Sequence, residues 1–584
     1  GVAFLWLSLS ACGSGLLLAT TNQMSIDIAV VPFLWVLPLC VYLLTFVLTF
    51  DHERWYVRPF FIAVLPLVLI NAVRLLYGGV DLGLVDQVVG YSVTLFVCCM
   101  CCHGELSRAR PAAHHLTFFF LMVSVGGAVG GLLVAILAPA LFPGPYEYHF
   151  LLVACYLLMG FVLGRLLVRG DLAPAAGAVR RVLTGMSVAT GLTIIAVGTV
   201  VLLRPDTWMD GASADEMEAF AAWQVQLRPY GVVMAGVSLF AIETWRRVEG
   251  VGLRRWWTSR RGLVRVLLTG TTAVGLVSLA GGLAWQVTND ERRTVEMARN
   301  FYGALSIRER DEGTWMHRLS LTHGRIRHGS QLQLYRGWPT EYYGPDTGVG
   351  LAIQHHPGRT DTTRQFRVGV VGLGVGTIAA YANTRVAEDL GQGSYVTVRE
   401  TGEPDYVRFY ELNPLVTRWA TERFTFLGDA RVRGADVAVF EGDARITLER
   451  QLEQGEAQRF DVFAVDAFSS DAIPLHLLTL ESVQTYLAHL KEDGILALHV
   501  TNRFVDLLPI VRRLADAADL GAIYVENYSN ASRLVNASDW VLLTRNKAFL
   551  DLEIVRENEE ELPAPGPLWT DDFSSLWEVV EIDN

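Results

Sequence analysis

The chain has 584 residues, of which 51% are hydrophobic and 18% are charged, and its formal net charge is -12. Soluble proteins average about 25% charged residues, so this composition excludes an ordinary globular chain. The acidic balance argues against a nucleic-acid-binding protein, since no basic patch appears in the second half. Apolar runs recur up to about residue 286, and an acidic sequence of ordinary composition follows. We therefore predict a membrane part followed by a soluble part.

The membrane part contains nine runs that are long and apolar enough to span a membrane, which takes about 20 residues. A buried core helix explains one such run but not nine in succession. The first run has no basic segment before it, as a cleaved signal peptide would, and we expect that residues before Gly1 are missing from this numbering. The runs lie near Val2–Thr20, Ile28–Phe50, Phe60–Leu76, Val85–Cys101, Leu116–Leu141, Phe150–Val168, Val182–Leu203, Tyr230–Trp245 and Val264–Trp285.

The arginines predict the orientation of these runs. They concentrate in the loops after the second, fourth, sixth and eighth runs, and basic loops stay on the cytoplasmic side. Nine spans then place the soluble part on the outer side of the membrane, which we take to be a bacterial inner membrane.

Small and ionisable residues mark two further features of the membrane part. The run GGAVGG, at 126–131, puts glycines on one helix face and predicts close helix packing. Asp27, His103 and Glu105 border the spans, where we expect water to reach them. A transport or proton-relay role is the alternative, because a charge at membrane depth is a functional hypothesis by default.

All seven cysteines lie in the membrane part, four of them in the run CCMCC at 98–102. This spacing matches no zinc motif, since no second ligand pair follows at a finger-like distance. We interpret the cysteines as small apolar filler and expect no metal.

The soluble part contains a candidate nucleotide site. Arg367–Ala380 reads RVGVVGLGVGTIAA, in which an apolar strand runs into Gly372, Gly374 and Gly376. Glycines let the backbone turn tightly and approach a ligand, and a following helix points its first N–H groups at that ligand. The order of strand, glycines and helix predicts a Rossmann-type domain.

Three carboxylates follow later predicted strands. Glu411 follows Tyr406–Tyr410, Asp443 follows a strand that begins near Val437, and Asp466 follows Val462–Val465. Ligands bind outside the carboxyl ends of strands in open α/β sheets, so we expect these side chains to converge on the glycine turn, with Glu411 accepting hydrogen bonds from ribose hydroxyls. Arg385–Pro404 reads as an inserted loop, and Gly494–Val500 and Trp540–Thr544 as later strands.

These motifs together carry a family resemblance. The order GLGVGT, YELNP, EGDAR, VDAFSSDAIP and KEDGILALHV resembles the spermidine synthases, a family of aminopropyltransferases. More narrowly, the chain is similar to bacterial membrane proteins in which a multi-span region is fused to a spermidine synthase-like domain, and CHGELSRARPAAHHL and LTHGRIRHGSQLQ extend the likeness. The resemblance implies a membrane all-α helical bundle of about nine spans (1–286) and a small N-terminal β-lobe (287–345). An α/β Rossmann-type, methyltransferase-like domain (346–556) and an acidic tail (557–584) would follow.

The resemblance also implies a role for each site residue. The glycine turn, Glu411 and Asp443 would bind decarboxylated S-adenosylmethionine as a substrate, with Asp443 beside the adenine. Asp466 would orient the attacking amine and take its proton, and Asp471 would be the second acidic residue of the same loop. Gln331 and Tyr343 would close the lobe over the substrates.

Departures from the family pattern leave other functions open. Asp466 and Asp471 are five residues apart, where the family's two aspartates are three apart, and HGSQ stands where the family has Asp-Gly. One alternative is methyl transfer from S-adenosylmethionine. Another is a non-catalytic structural or assembly subunit of a membrane complex, which an outer location favours because adenosyl donors are scarce there. The expected partners are membrane lipids, a polyamine or another amine acceptor, and a membrane complex or a second copy of the chain.

Overall fold

The computed structural model describes most of the chain outside one long gap and several short ones. The described residues are 2–28, 33–79, 82–169, 275–277, 279–288, 293–324, 326–361, 363–386, 396–398, 403–467, 474–502, 505–575 and 578–579.

The described residues of the first part are mostly helical, and six of the helices they form are long and apolar enough to cross a membrane. These six match the first six predicted spans. The runs near 182–203 and 230–245 lie outside the described residues, and the ninth is described only at 275–277 and 279–288, which are helical. The helices are α1 (Val2–Asp27), α2 (Phe33–Asp51), α3 (Arg58–Gly78), α4 (Leu84–Arg108), α5 (Leu116–Leu132), which continues through a π-helical turn into α6 (Ala138–Leu141), and α7 (Glu147–Arg169).

Helix α1 lies in the middle of this bundle and packs against α2, α4, α5 and α7. The glycines of GGAVGG allow the closest of these approaches, as predicted. A Cβ added at Gly130 would lie 2.2 Å from the carbonyl oxygen of Ala11, and one added at Gly126 would lie 2.6 Å from that of Leu7. Larger side chains at these two positions would therefore push α5 away from α1.

The ionisable groups near the span ends are buried, contrary to the prediction that water reaches them. Asp27 is 2% exposed and accepts hydrogen bonds from Gln23 (2.9 Å) and Tyr91 (2.5 Å). Glu105 is 4% exposed and forms a two-point ion pair with Arg58, at 2.5 and 2.7 Å. Gln23 precedes Asp27 by one turn of α1, but Tyr91 and Arg58 come from other helices, and the local sequence does not reveal them.

A four-stranded antiparallel sheet in sequence order forms the small lobe. Its strands are β1 (Thr294–Asn300), β2 (Gly303–Arg310), β3 (Arg318–His323) and β4 (Ile326–Leu332). The guanidinium of Arg299 in β1 donates to both carboxylate oxygens of Glu147 at the start of α7, at 3.0 and 2.9 Å. This largely buried pair joins the lobe to the helical part.

A seven-stranded sheet forms the centre of the soluble part, in the order β12-β13-β11-β10-β5-β8-β9. Only β13 runs antiparallel to its neighbours. This is the strand order of the methyltransferase-like fold that the resemblance implies. The strands are β5 (Arg367–Val371), β8 (Tyr406–Glu411), β9 (Asp436–Glu441), β10 (Phe460–Val465), β11 (Leu490–His499), β12 (Gly521–Asn527) and β13 (Ser538–Thr544).

Helices cover both faces of this sheet, and a small hairpin stands in the predicted inserted loop. The hairpin pairs β6 (Thr384–Val386) with β7 (Val396–Val398). Of the strands, only β12 and this hairpin have no counterpart in the sequence prediction. The helices are α8 (Gly348–His355), α9 (Pro414–Glu422), α10 (Phe426–Val432), α11 (Ala444–Glu453), α12 (Leu480–His489), α13 (Leu508–Ala517), α14 (Lys547–Leu550) and α15 (Glu553–Glu557).

The helix predicted after the glycine turn is only a five-residue 3-10 helix, Thr377–Tyr381. Arginine side chains from elsewhere take carbonyl groups that a longer helix would use. Arg433 donates to the carbonyl oxygens of Ala379 (3.0 Å) and Ala382 (3.2 Å), and Arg359 donates to that of Tyr381. So short a helix has little dipole to offer an anion.

Candidate functional site

The glycine turn connects β5 to the short 3-10 helix and is held against two other segments. Gly372 has a φ of +92°, and a Cβ there would lie 2.2 Å from the carbonyl oxygen of Asp466. Gly374 has a φ of +54°, and a Cβ there would lie 2.4 Å from the carbonyl oxygen of His328 in β4. Both glycines are therefore required by the protein's own packing. They place the turn between the end of β10 and the small lobe, and Gly376 closes it before the 3-10 helix.

Glu411 ends β8, beside the turn. One carboxylate oxygen accepts a hydrogen bond from the backbone N–H of Leu373 (3.0 Å), and the other accepts one from that of Asn413 (2.8 Å). The residue is 8% exposed, and burial raises the pKa of its carboxyl group to about 7, although these hydrogen bonds oppose the rise. Both the neutral and the ionised forms are therefore populated near pH 7. The ionised form is the one that accepts hydrogen bonds from hydroxyl groups most strongly.

This burial predicts a pH-dependent stability. The pKa of Glu411 rises from 4.5 to about 7 on folding, so the unfolded chain loses this proton first as the pH rises. The free energy of unfolding should therefore fall between about pH 4.5 and 7, by about 3 kcal/mol in total. The melting temperature of the full-length protein in detergent should drop more steeply from pH 5 to pH 8 in the wild type than in Glu411→Gln. The exposed Glu422→Gln, at the end of α9, should keep the wild-type slope, and equal slopes for all three would contradict the argument.

Asp443 follows β9 and caps helix α11. One oxygen of its carboxylate accepts from the backbone N–H of Ile446 (3.0 Å), and the other lies 3.2 Å from Nε2 of His476. Because β8 and β9 are parallel neighbours in register, Asp443 and Glu411 stand at the same edge of the sheet. The second oxygen, on the partly exposed side of the cap, remains open to a further donor.

Asp466 follows β10 and is enclosed by polar and aromatic side chains. One carboxylate oxygen accepts from the hydroxyl of Tyr343, and the other lies 2.7 Å from Nδ1 of His499. Only 4% of the Asp466 side chain is exposed. Burial and the Asp466 carboxylate raise the pKa of Tyr343, so its phenol stays protonated and donates. Two donors thus fix the orientation of a carboxylate at the carboxyl end of the central strand.

His499 is a site residue that the sequence analysis missed. Its Nε2 lies 2.8 Å from the hydroxyl of Thr501, and its ring stacks at 4.6 Å on Tyr342 and at 4.6 Å on Trp540. Since a carboxylate only accepts, Nδ1 carries the proton that is donated to Asp466. His499 is the last residue of β11, the parallel neighbour of β10. The strand-end rule that selected Asp466 would have found it.

The remaining predicted site residues are placed differently. The amide of Gln331 donates to the carbonyl oxygen of Arg336 and to the hydroxyl of Thr425, both at 2.9 Å, and accepts from the backbone N–H of Thr425 (3.0 Å). Through these hydrogen bonds the side chain of Gln331 joins the lobe to the segment before α10. Tyr343 contacts Asp466 directly, whereas Asp471 lies outside the described residues.

His328, in strand β4 of the small lobe, is a second histidine that the sequence did not single out. Its carbonyl oxygen faces Gly374 of the glycine turn. Burial lowers the pKa of His328 to about 3, so its ring is neutral. Its Nε2 is buried and has no hydrogen-bond partner among the described residues. His328 is the first residue of the HGSQ stretch, so this position of the lobe holds a neutral ring.

No protein-family model and no curated protein matches this chain. Among solved structures it is similar to the spermidine synthase from Thermotoga maritima, with 14% identity and a TM-score of 0.28 over 48% of this chain and 82% of that one. It is also similar to a probable spermidine synthase from Corynebacterium glutamicum, with 13% identity and a TM-score of 0.29 over 47% of this chain and 98% of that one. Human methyltransferase-like protein 13 in complex with SAH matches with 15% identity and a TM-score of 0.23, over 36% of this chain and 91% of that one. The assignment of a methyltransferase-like fold rests on the strand order and the glycine turn, not on these values.

Proposed function

We propose that the chain is a membrane-anchored transferase that transfers the aminopropyl group of decarboxylated S-adenosylmethionine to an amine acceptor. The observation that carries the proposal is the placement of Glu411, Asp443 and Asp466 after three strands of one sheet, around the glycine turn. Two carboxylates suit the hydroxyl and amino groups of an adenosine, and the third suits an amine.

The proposed reaction needs a neutral amine that is aligned with the methylene carbon of the donor. It does not depend on a strong acid. The lone pair of the amine nitrogen attacks the methylene carbon that is bonded to the sulfonium sulfur. The C–N bond forms while the C–S bond breaks, and the bonding electrons stay on sulfur, so methylthioadenosine leaves as a neutral thioether. The nitrogen then carries a surplus proton, which Asp466 accepts. The positioning of the two reactants supplies most of the rate.

The contacts of Asp466 fit this task. An ionised carboxylate has about four acceptor positions, and the hydroxyl of Tyr343 and Nδ1 of His499 take two of them. The remaining positions can orient an N–H of the amine and then receive its proton. Tyr343 and His499 are positioning residues in this scheme, because they act through Asp466.

A non-catalytic subunit is the second candidate, and a specific observation favours it. The Asp466 side chain is almost completely buried, and both of its oxygens already have partners. The amide of Gln331, expected over the substrates, is bound to Thr425 instead. A protein that kept the fold only as a scaffold in a membrane complex would retain such a closed network.

The membrane arrangement also remains a proposal beyond the six apolar helices. We propose nine spans in a bacterial inner membrane, with the arginine-rich loops in the cytoplasm and the soluble part outside. Lipids, an amine acceptor and a complex or second copy of the chain are the partners that this arrangement implies.

Calorimetric titration of the full-length protein in detergent tests the proposal. The ligands are decarboxylated S-adenosylmethionine, S-adenosylmethionine and methylthioadenosine. We expect binding of the decarboxylated donor and of methylthioadenosine, and a loss of about 10- to 100-fold in affinity in Glu411→Gln, since hydrogen bonds to a charged group contribute about 1.5–3 kcal/mol. The matched control is Glu422→Gln, which changes an exposed carboxylate at the end of α9.

The pattern of binding distinguishes the candidates. Binding of S-adenosylmethionine without its decarboxylated form would replace aminopropyl transfer by methyl transfer. If a folded, monodisperse protein bound none of the three ligands, the transferase would be rejected in favour of the non-catalytic subunit.

A further inference from the structure

Four cysteine thiols from three helices meet inside the helical bundle. The sulfur atoms of Cys12 in α1, Cys102 in α4 and Cys155 in α7 all lie within 4.8 Å of one another. Cys98 lies one helical turn before Cys102 on α4, beside this group of three sulfur atoms. All four residues are at most 4% exposed. We refer to these four residues as the thiol cluster.

The packing of the helices brings the thiol cluster together. Helix α1 packs on α4 on one side and on α7 on another. Gly15 allows the second approach, because a Cβ there would lie 2.9 Å from the side chain of Leu151 in α7. Cys98 and Cys102 are four residues apart on α4 and therefore share one helix face. Each of three helices thus contributes one sulfur atom to a single point, and Cys98 adds a fourth thiol one turn away on α4.

We propose that the thiol cluster binds one thiophilic metal ion with a filled d shell, Zn²⁺ or Cu⁺. Thiolates are soft ligands that select such ions over hard ones such as Mg²⁺ or Ca²⁺. Zinc–sulfur bonds of about 2.3 Å place the sulfur atoms of a tetrahedral site about 3.8 Å apart, which small rotamer changes reach from the observed separations. A single ion fits this spacing, whereas a cluster of several metals would need its sulfur atoms farther apart.

The charge of the site is consistent with its burial. An isolated thiolate is strongly disfavoured among apolar side chains, and the ion replaces thiol protons as it binds. Each thiol that ligates the ion releases its proton, and Zn²⁺ offsets two of the resulting negative charges while Cu⁺ offsets one. The proposal is independent of the activity of the soluble part.

The ordinary interpretation of a buried cysteine is a small apolar side chain, and the same helix offers examples for comparison. Cys99 and Cys101 are also fully buried in α4. The thiol of Cys99 faces the carbonyl oxygen of Gly13 at 3.9 Å, and its sulfur atom is not in the group that lies within 4.8 Å. A filler role does not require three sulfur atoms from three helices to lie within 4.8 Å of one another. Cys99 and Cys101, which are outside this group, serve as matched controls.

The test measures metal in the full-length protein, purified in detergent without chelators or after incubation with ZnCl₂ or with Cu⁺ under reducing conditions. We expect about one equivalent of one of the two metals per chain by elemental analysis, and a shell of sulfur neighbours near 2.3 Å by X-ray absorption. The metal content should fall at least fivefold in Cys102→Ser and in Cys155→Ser and stay unchanged in Cys99→Ser and Cys101→Ser. Retention after incubation with only one ion identifies which ion the site takes.

Three outcomes would overturn the proposal. The first is a monodisperse protein that retains neither metal, and the second is equal metal content in the cluster and control variants. The third is a disulfide between cluster cysteines under reducing purification, seen as a mass lower by two hydrogen atoms. If Cys155→Ser does not fold, Cys12→Ser and Cys98→Ser carry the same comparison from the other two helices.

Discussion

Asp466→Asn is expected to lower kcat for aminopropyl transfer by about 10²- to 10⁴-fold, the contribution of a positioned general base. Asparagine has nearly the shape of aspartate and can still accept from the hydroxyl of Tyr343. It cannot accept a proton from the amine, however, and its NH₂ group would face the donor Nδ1 of His499. The affinity for methylthioadenosine should change less than about threefold, because Asp466 does not serve the nucleoside in this scheme. Formation of methylthioadenosine from the decarboxylated donor and a panel of amines measures the effect.

A surface aspartate provides the control for this substitution. Asp516 on α13 makes one exposed ion pair with Arg512 at 3.4 Å, so Asp516→Asn should keep the wild-type kcat and KM. An Asp466→Asn protein with more than half of the wild-type kcat would remove Asp466 from the mechanism. Equal losses of kcat and of nucleoside affinity would instead indicate that the substitution distorts the glycine turn.

The sequence predicts the positions of the strand ends well, because that information is local. Apolar runs such as Val462–Val465 form strands between polar residues, and a parallel sheet then brings the following side chains to one edge. Asp466 and Glu411 are found in this way without any knowledge of their partners. His499 follows the same rule at the end of β11 and was missed because histidine in an apolar strand reads as a core residue.

Contacts between distant segments could not be predicted. Gln331 hydrogen-bonds with Thr425, 94 residues away, and no local pattern announces such a partner. The helix after the glycine turn stays short because Arg359 and Arg433 bind its carbonyl oxygens. In both cases hydrogen bonds between segments that are distant in the sequence decide the local structure.

The cysteines show the same limit in the membrane part. Zinc motifs are recognised by short spacings along the chain, but Cys12, Cys102 and Cys155 belong to three helices. Their convergence depends on which helices pack against α1, and apolar composition does not determine that choice. A search restricted to spacing therefore interprets the same residues as filler.

Gly372→Ala is expected to destabilise the soluble part by about 3 kcal/mol or more. The new Cβ would lie 2.2 Å from the carbonyl oxygen of Asp466, a backbone atom that cannot turn aside, and the φ of +92° is unfavourable for any residue with a side chain. Strain and overpacking of this kind each cost about 1–3 kcal/mol. The melting temperature of the full-length protein in detergent, followed by the near-ultraviolet signal of its tryptophans, measures the loss.

Gly372→Ala should also lower the activity of the folded protein, because the clash is relieved only if β10 or the turn moves. Movement of Asp466 by even a few tenths of an ångström would lengthen its bonds to Tyr343 and His499, so activity should fall even at temperatures where the variant is folded. Gly428→Ala is the matched control. Gly428 lies in α10 with no neighbouring heavy atom within 4 Å of an added Cβ, and alanine there should stabilise the helix by about 0.5–1 kcal/mol. If Gly372→Ala and Gly428→Ala melted alike, the glycine turn would not be held against Asp466 as the structure has it.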